Sequence, residues 1–330
     1  MPPANPPLRV AEVFGLSPLG ERLREAMLTF RGDPQTPPAR FDHTSLRMFR
    51  PRLALPLWRG VPAHGRLVPI YNLVSHVRPP PEEGWSVRVT MARDFLGTQL
   101  TYDSHNGTDF AVPLGTVVVA AAGGVVRRVS REFNRGGLKV FIDHGEGLIT
   151  TSNHLARALV RVGDRVRRGD PIALSGYSGL DGLTTFPFGA PHVHFNVWLD
   201  GEYVDPFARP GETTMWRNGN WPVPWDGTGE DDAATPGADW DTDAVAQSLA
   251  ACVHDGARAE MEAAADPDAR AMTTLFQMNY FPTRFRERPT LYRTTHARRG
   301  RLDLPFRRED FDGIWFPHGV EPPRDAPSRG

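Results

Sequence analysis

The sequence predicts a mainly β domain in the middle of the chain, with an α-helical and irregular part before it and a mainly helical part after it. Between Trp85 and Phe207, short apolar stretches alternate with turns such as Gly123-Gly124 and Gly136-Gly137. Many short strands joined by glycine turns are typical of an antiparallel β-sandwich or barrel-like domain. We expect this domain to span residues 91–208.

Residues 1–90 form a flanking region rich in proline and arginine. A helix is predicted there, with Ser17 as N-cap, Pro18 in the first turn and Gly32 just past the end. The apolar residues of one face of this helix are Leu19, Leu23 and Met27. The proline-rich segment 79–84 then predicts a boundary before the β domain.

The strands of the middle domain follow from period-two alternation and from apolar runs between turns. Trp85, Val87, Val89 and Met91 alternate with polar residues. The later predicted strands are Thr116–Ala121, Val125–Ser130, Leu138–Asp143, Leu148–Ser152, Pro171–Ser175 and His192–Leu199.

The C-terminal third divides into a linker and a helical region. Residues 209–242 are predicted to form an acidic linker that contains Glu230-Asp231-Asp232. In the region 243–330, helices are predicted over Thr242–His254 and Ala257–Ala265, and Pro267 is expected to break the helical run. The residues after 280 show no clear period.

Composition excludes several classes of protein. The formal net charge of −1 over 330 residues gives no strong general attraction to nucleic acid. The longest apolar run, from Val117 to Val126, is too short for a transmembrane segment. The single cysteine, Cys252, rules out an intrachain disulfide and a cysteine-built zinc site, so a metal would need His, Asp or Glu ligands. No oligomeric state is predicted.

The N-terminus lacks the features of a secretory signal. The chain opens with several prolines, and its first basic residue is Arg9. A signal peptide would need a basic start, an apolar stretch and a small-residue cleavage site. No signal peptide is therefore expected from these residues.

Two groups of residues could hold a metal. In the segment from His105 to Asp109, a flat strand would separate the imidazole and the carboxylate by about 13 Å, which is too far for one ion. Gly107 lets the backbone bend and could bring the two side chains together. In the second group, His192, His194 and Asn196 share one strand face, and adjacent histidines there lie about 7 Å apart.

Two further histidines give weaker signals. His154 follows the predicted strand Leu148–Ser152, and a lone histidine at a strand end is more often structural than catalytic. His144 is interpreted as structural.

Taken together, these motifs resemble the lysostaphin/LytM-type zinc endopeptidases of bacterial cell walls. The resemblance rests on the His-x-x-x-Asp element, the later His154-Leu155, the His-x-His strand and the intervening hairpins, over about residues 100–207. It implies a β domain of the LytM, or duplicated hybrid motif, type. It also implies hydrolysis of peptide bonds in peptidoglycan, and therefore action at the cell envelope or outside the cell.

The resemblance assigns a role to each histidine of the motifs. It makes His105, Asp109 and His194 the ligands of one Zn²⁺ ion, with a fourth position for water. It makes His154 and His192 the catalytic pair, of which one would accept a proton from water and the other would stabilise the oxyanion or protonate the leaving amine. Geometry alone does not decide which of His192 and His194 is the ligand.

The sequence departs from the family pattern in three places. Ser152 and Asn153 stand where an aromatic residue usually precedes the middle histidine, and Asn196 stands where an acidic residue is common. The loop between Gly179 and His192 is longer than usual. These departures affect the expected groove shape and substrate choice more than the metal ligands.

Two other functions compete with this interpretation. A LytM-like module without catalysis would act by binding or regulation, but such members typically lack ligands that this chain retains. A lipoyl or biotinyl carrier would need a modifiable lysine at an exposed hairpin tip. The only lysine, Lys139, lies inside an apolar strand pattern, which disfavours a carrier.

Overall fold

The computed structural model describes residues 7–229, 237, 239–319 and 321–322. The triplet Glu230-Asp231-Asp232 of the predicted linker lies outside these residues. The helices are α1 (Val10–Phe14), α2 (Leu19–Arg31), α3 (Pro51–Trp58), α4 (Leu180–Thr185), α5 (Thr242–Ala251), α6 (Asp255–Glu262) and α7 (Pro267–Tyr280). The strands are β1 (Leu67–Asn72), β2 (Thr108–Ala111), β3 (Val117–Val119), β4 (Gly124–Ser130), β5 (Leu138–Asp143), β6 (Leu148–Ala158), β7 (Arg165–Val166), β8 (Pro171–Ser175), β9 (His192–Leu199), β10 (Glu202–Val204) and β11 (Gly313–Trp315).

The strands form one sheet with the order β11-β1-β2-β9-β6-β5-β4-β7. Outside this order, β10 pairs with β9, and β8 pairs with both β6 and β3. Within the described residues, β1 and β11 pair in parallel and the other strand pairs are antiparallel. The predicted mainly β, antiparallel fold class with helical flanks is therefore confirmed. The strands β5, β8 and β9 have the predicted ends.

Strands from both flanks join this sheet. β1 pairs with β2 and with β11, although both β1 and β11 lie outside residues 91–208. In the segment predicted as a linker, Met215 and Trp216 are buried in the core. The division at residues 90, 208 and 242 stays a prediction.

The central strands are covered on both faces, which explains their nearly continuous apolar sequences. On β5, Val140 and Ile142 pack into the main core cluster, whereas Phe141 packs into a second cluster built largely by the C-terminal helices. On β9, Val193, Phe195 and Val197 face the main core as predicted. Trp198, on the opposite face of β9, packs against the helical layer.

The predicted strand beginning at Trp85 is wrong. Residues 85–91 form only an isolated bridge, between Ser86 and Arg40. The backbone N–H groups of Thr90, Met91 and Ala92 donate to the carboxylate of Asp103 at 2.9–3.0 Å. A side chain therefore takes the hydrogen bonds that a neighbouring strand would otherwise accept.

The helices differ from prediction at their ends. α2 has Pro18 rather than Ser17 as its N-cap, and it ends at Gly32 as expected. Its apolar residues Leu19, Leu23 and Met27 are exposed rather than packed in the core.

Pro267 separates α6 from a helix that the sequence pattern does not predict. It opens α7, because proline fits the first helical position and Asp266 caps the helix by accepting from Ala269 N at 2.8 Å. No described helix combines the length and apolar character that a membrane crossing requires.

Candidate metal centre and active site

Three neighbouring strands bring the predicted site residues together. β9 lies between β2 and β6, and its residue His194 is in register with Asp109 on one side and Asn153 on the other. His192 is in register with Ala111. At one end of this face of β9, Trp198 is covered by the C-terminal helices. His192 and His194 lie at the other end of the same face, so the site lies at the edge of the helical layer.

The side chains of His105, Asp109 and His194 form a compact, buried cluster. Asp109 Oδ1 lies 2.7 Å from His194 Nδ1 and 3.1 Å from His105 Nε2, and the two histidine nitrogens are 3.1 Å apart. Donor atoms around a tetrahedral Zn²⁺ with bonds of about 2.0–2.1 Å would lie about 3.3 Å apart. The three donor atoms therefore fit a single metal ion of this kind in chemistry and in spacing.

The bend at Gly107 brings His105 to Asp109, as the sequence predicts. A Cβ at residue 107 would lie 2.6 Å from His194 Nε2 and 2.8 Å from the carbonyl oxygen of Phe195, so only glycine fits there. His105 Nδ1 lies 2.6 Å from the carbonyl oxygen of Leu73. Because a carbonyl oxygen can only accept, Nδ1 carries the hydrogen and Nε2 is free for a metal.

His194 is oriented by two asparagines. Its Nε2 lies 3.1 Å from Asn106 Oδ1 and 3.0 Å from Asn196 Nδ2, and its Nδ1 is directed at Asp109 and His105. Asn196 Nδ2 donates to Asn106 O and Oδ1 at 2.8 and 3.0 Å. An amide can make these donations and a carboxylate cannot, which gives a physical reason for asparagine at position 196.

The carboxylate of Asp109 is held by a residue from the N-terminal region. Asn72, the last residue of β1, donates through Nδ2 to Asp109 Oδ2 at 2.6 Å. Burial alone would raise the pKa of Asp109, but His105 and His192 hold that pKa well below its usual range. The carboxylate is therefore ionised, which is the form that binds a cation.

His154 lies inside β6, not after its end, because the strand continues to Ala158. Its backbone has a φ of +59°, an uncommon value for a residue other than glycine, at an irregularity in the pairing of β6. Its Nδ1 donates to the carbonyl oxygen of Ser178 at 2.8 Å. Nε2 is the remaining nitrogen of the ring, and it lies 3.8 Å from Asp181 Oδ2.

His192 is oriented in the same way. Its Nδ1 donates to the carbonyl oxygen of Ala190 at 2.8 Å, and its Nε2 lies 3.6 Å from Asp109 Oδ1. Burial lowers the pKa of His192 to about 3, so the ring is neutral near pH 7. The rings of His154 and His192 are 4.7 Å apart, with Tyr177 5.0 Å from His192.

A cavity of about 370 Å³ opens beside these residues. His154, His192, His194 and Asp109 line it, and both flanking regions add to its wall. The flanking residues in that wall include Phe30, Phe41, Tyr71, Asn72, Trp85 and Tyr280. Sequence reasoning missed these residues; the apolar run Leu67–Tyr71 could have indicated β1, but nothing local indicates where Asn72 or Tyr280 would point.

The residues interpreted as structural lie elsewhere. His144 is buried, with Nδ1 and Nε2 at 2.8 Å from Gly123 O and Thr150 Oγ1. Cys252 is buried in the helical cluster. Lys139 is fully buried in β5, where its ammonium group bonds the carbonyl oxygens of residues 135 and 137 and an oxygen of Glu132. Lys139 is therefore not presented for carrier modification.

The β-rich fold, the buried His/Asp/His cluster and the two adjacent histidines define a metallopeptidase domain of the LytM type. Residues 103–206 match the family model described as Peptidase family M23, so this segment of the chain is an M23 peptidase domain. The match covers the five candidate site residues.

Curated relatives resemble the same segment. An uncharacterized metalloprotease of Haemophilus influenzae is 36% identical over 104 residues, which are 32% of this chain and 20% of the relative. The peptidoglycan DD-endopeptidase ShyA of Vibrio cholerae is 39% identical over 101 residues, which are 31% of this chain and 22% of the relative. The chain thus spans about a fifth of the length of these relatives.

Among solved structures, a zinc-containing peptidase from Vibrio cholerae is 28% identical, with a TM-score of 0.31. That similarity covers 43% of this chain and 38% of the other.

Proposed function

We propose that this protein is a zinc-dependent endopeptidase that hydrolyses peptide bonds of peptidoglycan, and that it acts at the cell envelope or outside the cell. The observation that carries the proposal is the cluster of His105, Asp109 and His194 donor atoms, 2.7–3.1 Å apart. Beside it lie His154 and His192, whose Nδ1 atoms each donate to a backbone carbonyl oxygen and so leave Nε2 available for the reaction. The peptidoglycan DD-endopeptidase named among the relatives supports the choice of substrate.

In the proposed site, His105, Asp109 and His194 hold the metal. A bound zinc ion would acidify a water molecule and polarise the scissile carbonyl. The Nδ1 of His192 donates to the carbonyl oxygen of Ala190, so its Nε2 is the nitrogen available to take up a proton from the attacking water. The carboxylate of Asp181, 3.8 Å from His154 Nε2, favours His154 for the protonated role, in which it stabilises the oxyanion and protonates the leaving amine.

The catalytically inactive alternative is less favoured. A binding module has no need of a complete set of metal donors or of two oriented histidines. This chain retains the three donors as one cluster, and the rings of His154 and His192 lie 4.7 Å apart beside it. Metal content and hydrolysis separate the two functions directly.

The test is digestion of purified peptidoglycan by the full chain loaded with zinc, with mass analysis of the released fragments. We expect about one zinc per chain and cleavage of peptide bonds within the cross-links or stem peptides. His192→Ala and His154→Ala should each lower the rate by about 10²-fold or more with zinc retained. His194→Ala should lose both zinc and activity.

His64→Ala is the matched control, because His64 is an exposed histidine that stacks on Trp315 away from the site. It should cleave at the wild-type rate. A zinc-loaded wild-type protein that releases no fragment from any peptidoglycan would overturn the proposal in favour of a binding module.

A further inference from the structure

A buried arginine beside the candidate active site lacks an acidic partner. Arg135 is 8% exposed, and its guanidinium donates to two backbone carbonyl oxygens, those of Tyr280 at 3.2 Å and Asn134 at 2.8 Å. Within the described part of the chain, no carboxylate lies within 4.0 Å of it, and Nη2 forms no hydrogen bond. By contrast, the similarly buried Arg168 pairs with Asp303 at 3.0 Å.

The charge of Arg135 is retained at neutral pH. Burial and the nearby Arg284 lower the pKa of Arg135 to about 10, which still leaves the guanidinium protonated near pH 7. Asp181 opposes this shift, but its carboxylate stands beside His154 rather than within ion-pair distance of Arg135. A buried, unpaired cation is costly to the free protein, so a ligand that supplies an anion would relieve that cost.

Arg135 lies where two cavities meet. It lines the cavity of about 370 Å³ that contains the site histidines, and it also lines a neighbouring cavity of about 730 Å³. Trp85, Asn106 and Tyr280 also line both cavities. The next residue, Gly136, accepts a hydrogen bond from the backbone N–H of His154 at 2.8 Å, which ties the arginine to the candidate catalytic residues.

Aromatic rings hold the guanidinium in place. Its central carbon lies 5.5 Å from the ring centre of Trp85 and 4.8 Å from that of Phe281. Trp85 and Tyr280 stack with their planes 13° apart. A cation fixed in this way is pre-organised to bind an anion with little loss of side-chain freedom.

We propose that Arg135 binds a carboxylate group of the substrate, and that the substrate peptide extends from the metal centre past Arg135 into the neighbouring cavity. The inference rests on the proposed function, since a peptide of the cell wall is the source of the carboxylate. It makes Arg135 a specificity-determining residue: a peptide whose carboxyl groups are free binds better than the same peptide with those groups amidated.

The first test measures binding without turnover. The zinc-loaded His192→Ala protein is titrated by calorimetry with a synthetic cross-linked stem-peptide dimer, once with free carboxyl groups and once with amidated ones. A charged hydrogen bond of this kind predicts about tenfold tighter binding of the free acid. The preference should fall towards one when Arg135→Gln is added and should partly remain with Arg135→Lys.

The second test measures turnover of the same two substrates. Arg135→Gln should reduce kcat/KM more for the free acid than for the amide, mainly through KM. Arg161→Gln is the matched control, because Arg161 is an exposed arginine in a distant turn, and it should keep the wild-type ratio. Thermal unfolding checks that each variant is folded; if Arg135→Gln is not, Arg135→Met, which is also uncharged, carries the comparison.

The outcomes separate the two proposals. Equal affinities of the His192→Ala protein for acid and amide, no binding of either, or a preference that survives Arg135→Gln, would each overturn the role of Arg135. Cleavage without any preference for the free acid would support the endopeptidase activity and contradict only the proposed role of Arg135. Tighter binding of the free acid, together with no cleavage by the wild-type protein, would support the role of Arg135 and contradict the endopeptidase activity.

Discussion

The carbonyl oxygen of Ser178 accepts the Nδ1 hydrogen of His154 at 2.8 Å, and so sets which nitrogen of that ring faces the site. Ser178 is itself held against a glycine turn. A Cβ on Gly137 would lie 2.3 Å from the carbonyl carbon and oxygen of Ser178. The absence of a side chain at position 137 is therefore a condition for the orientation of His154.

Gly137→Ala should lower the rate of hydrolysis while zinc stays bound. The methyl group would displace Ser178, and alanine at a φ of +63° adds about 1–2 kcal/mol of backbone strain. We expect kcat to be at least about tenfold lower. The free energy of unfolding should fall by more than the backbone strain, because the displacement of Ser178 adds to it. Steady-state kinetics, zinc content and urea unfolding measure the three effects.

Gly163→Ala is the matched control for this prediction. Gly163 also has a positive φ, of +93°, but a Cβ added at this position would meet no atom within 4 Å. Gly163→Ala should lower the free energy of unfolding through backbone strain, but it should leave kcat unchanged. Equal kinetic effects of the two substitutions would contradict the link between Gly137 and His154.

The sequence predicts the strands that carry the metal-binding motifs better than it predicts the residues around them. His192–Leu199 and Leu138–Asp143 have clear apolar patterns, and the structure gives them the predicted ends. The bend at Gly107 could also be anticipated, because the motif is useless for metal binding in a flat strand.

The parts that the sequence did not predict depend on long-range pairing. Asn72 reaches Asp109 only because β1 pairs with β2, and Tyr280 reaches Asn196 only because α7 packs on the sheet, with its hydroxyl donating to Asn196 Oδ1 at 3.0 Å. Neither contact leaves a local pattern in the chain. The unpaired state of Arg135 likewise depends on which side chains the fold brings near it.

Zinc should stabilise the fold through the three proposed ligands. With free zinc about 100-fold above its dissociation constant, the free energy of unfolding should rise by about 2.7 kcal/mol. Asp109→Ala and His105→Ala should each abolish most of this gain, because two ligands hold the ion poorly. Thermal unfolding with and without zinc gives the measurement.

His192→Ala is the control for zinc stabilisation, since His192 is proposed as catalytic and not as a ligand. It should keep most of the zinc-dependent shift in Tm. A shift lost in His192→Ala but retained in Asp109→Ala would exclude the proposed ligand set.

Asn106 should set the zinc affinity through His194. Its Oδ1 lies 3.1 Å from His194 Nε2, and in the tautomer with the hydrogen on Nε2 it accepts that hydrogen and leaves Nδ1 free for the metal. Asn106→Ala removes this acceptor and should weaken zinc binding by about 10- to 100-fold. Competition with a fluorescent zinc chelator measures the change.

Asn106→Asp is the informative comparison for this contact, because a carboxylate keeps an acceptor at the same place. It should retain most of the affinity lost in Asn106→Ala. If both variants bind zinc as wild type does, the tautomer of His194 is not set by residue 106.

The contribution of the buried carboxyl group of Asp143 to the free energy of unfolding should fall as the pH rises from about 4 to about 6. Burial raises the pKa of Asp143 to about 6, although Gly145 N and Arg127 oppose the shift. Below its unfolded-state pKa the group is protonated in both states. Between the two pKa values the folded protein binds more protons than the unfolded chain, so deprotonation costs about 3 kcal/mol of stability at most.

Asp143→Asn should remove this contribution. Urea unfolding of wild type and variant between pH 4 and pH 7 gives a difference curve in which the variant gains stability relative to wild type as the pH rises. When the titration is extended below pH 4, Asp226→Asn should give a difference of the opposite sign, because hydrogen bonds from Thr228 lower the pKa of Asp226. A flat difference curve for Asp143→Asn would mean that Arg127, 3.6 Å away, compensates the buried carboxylate in full.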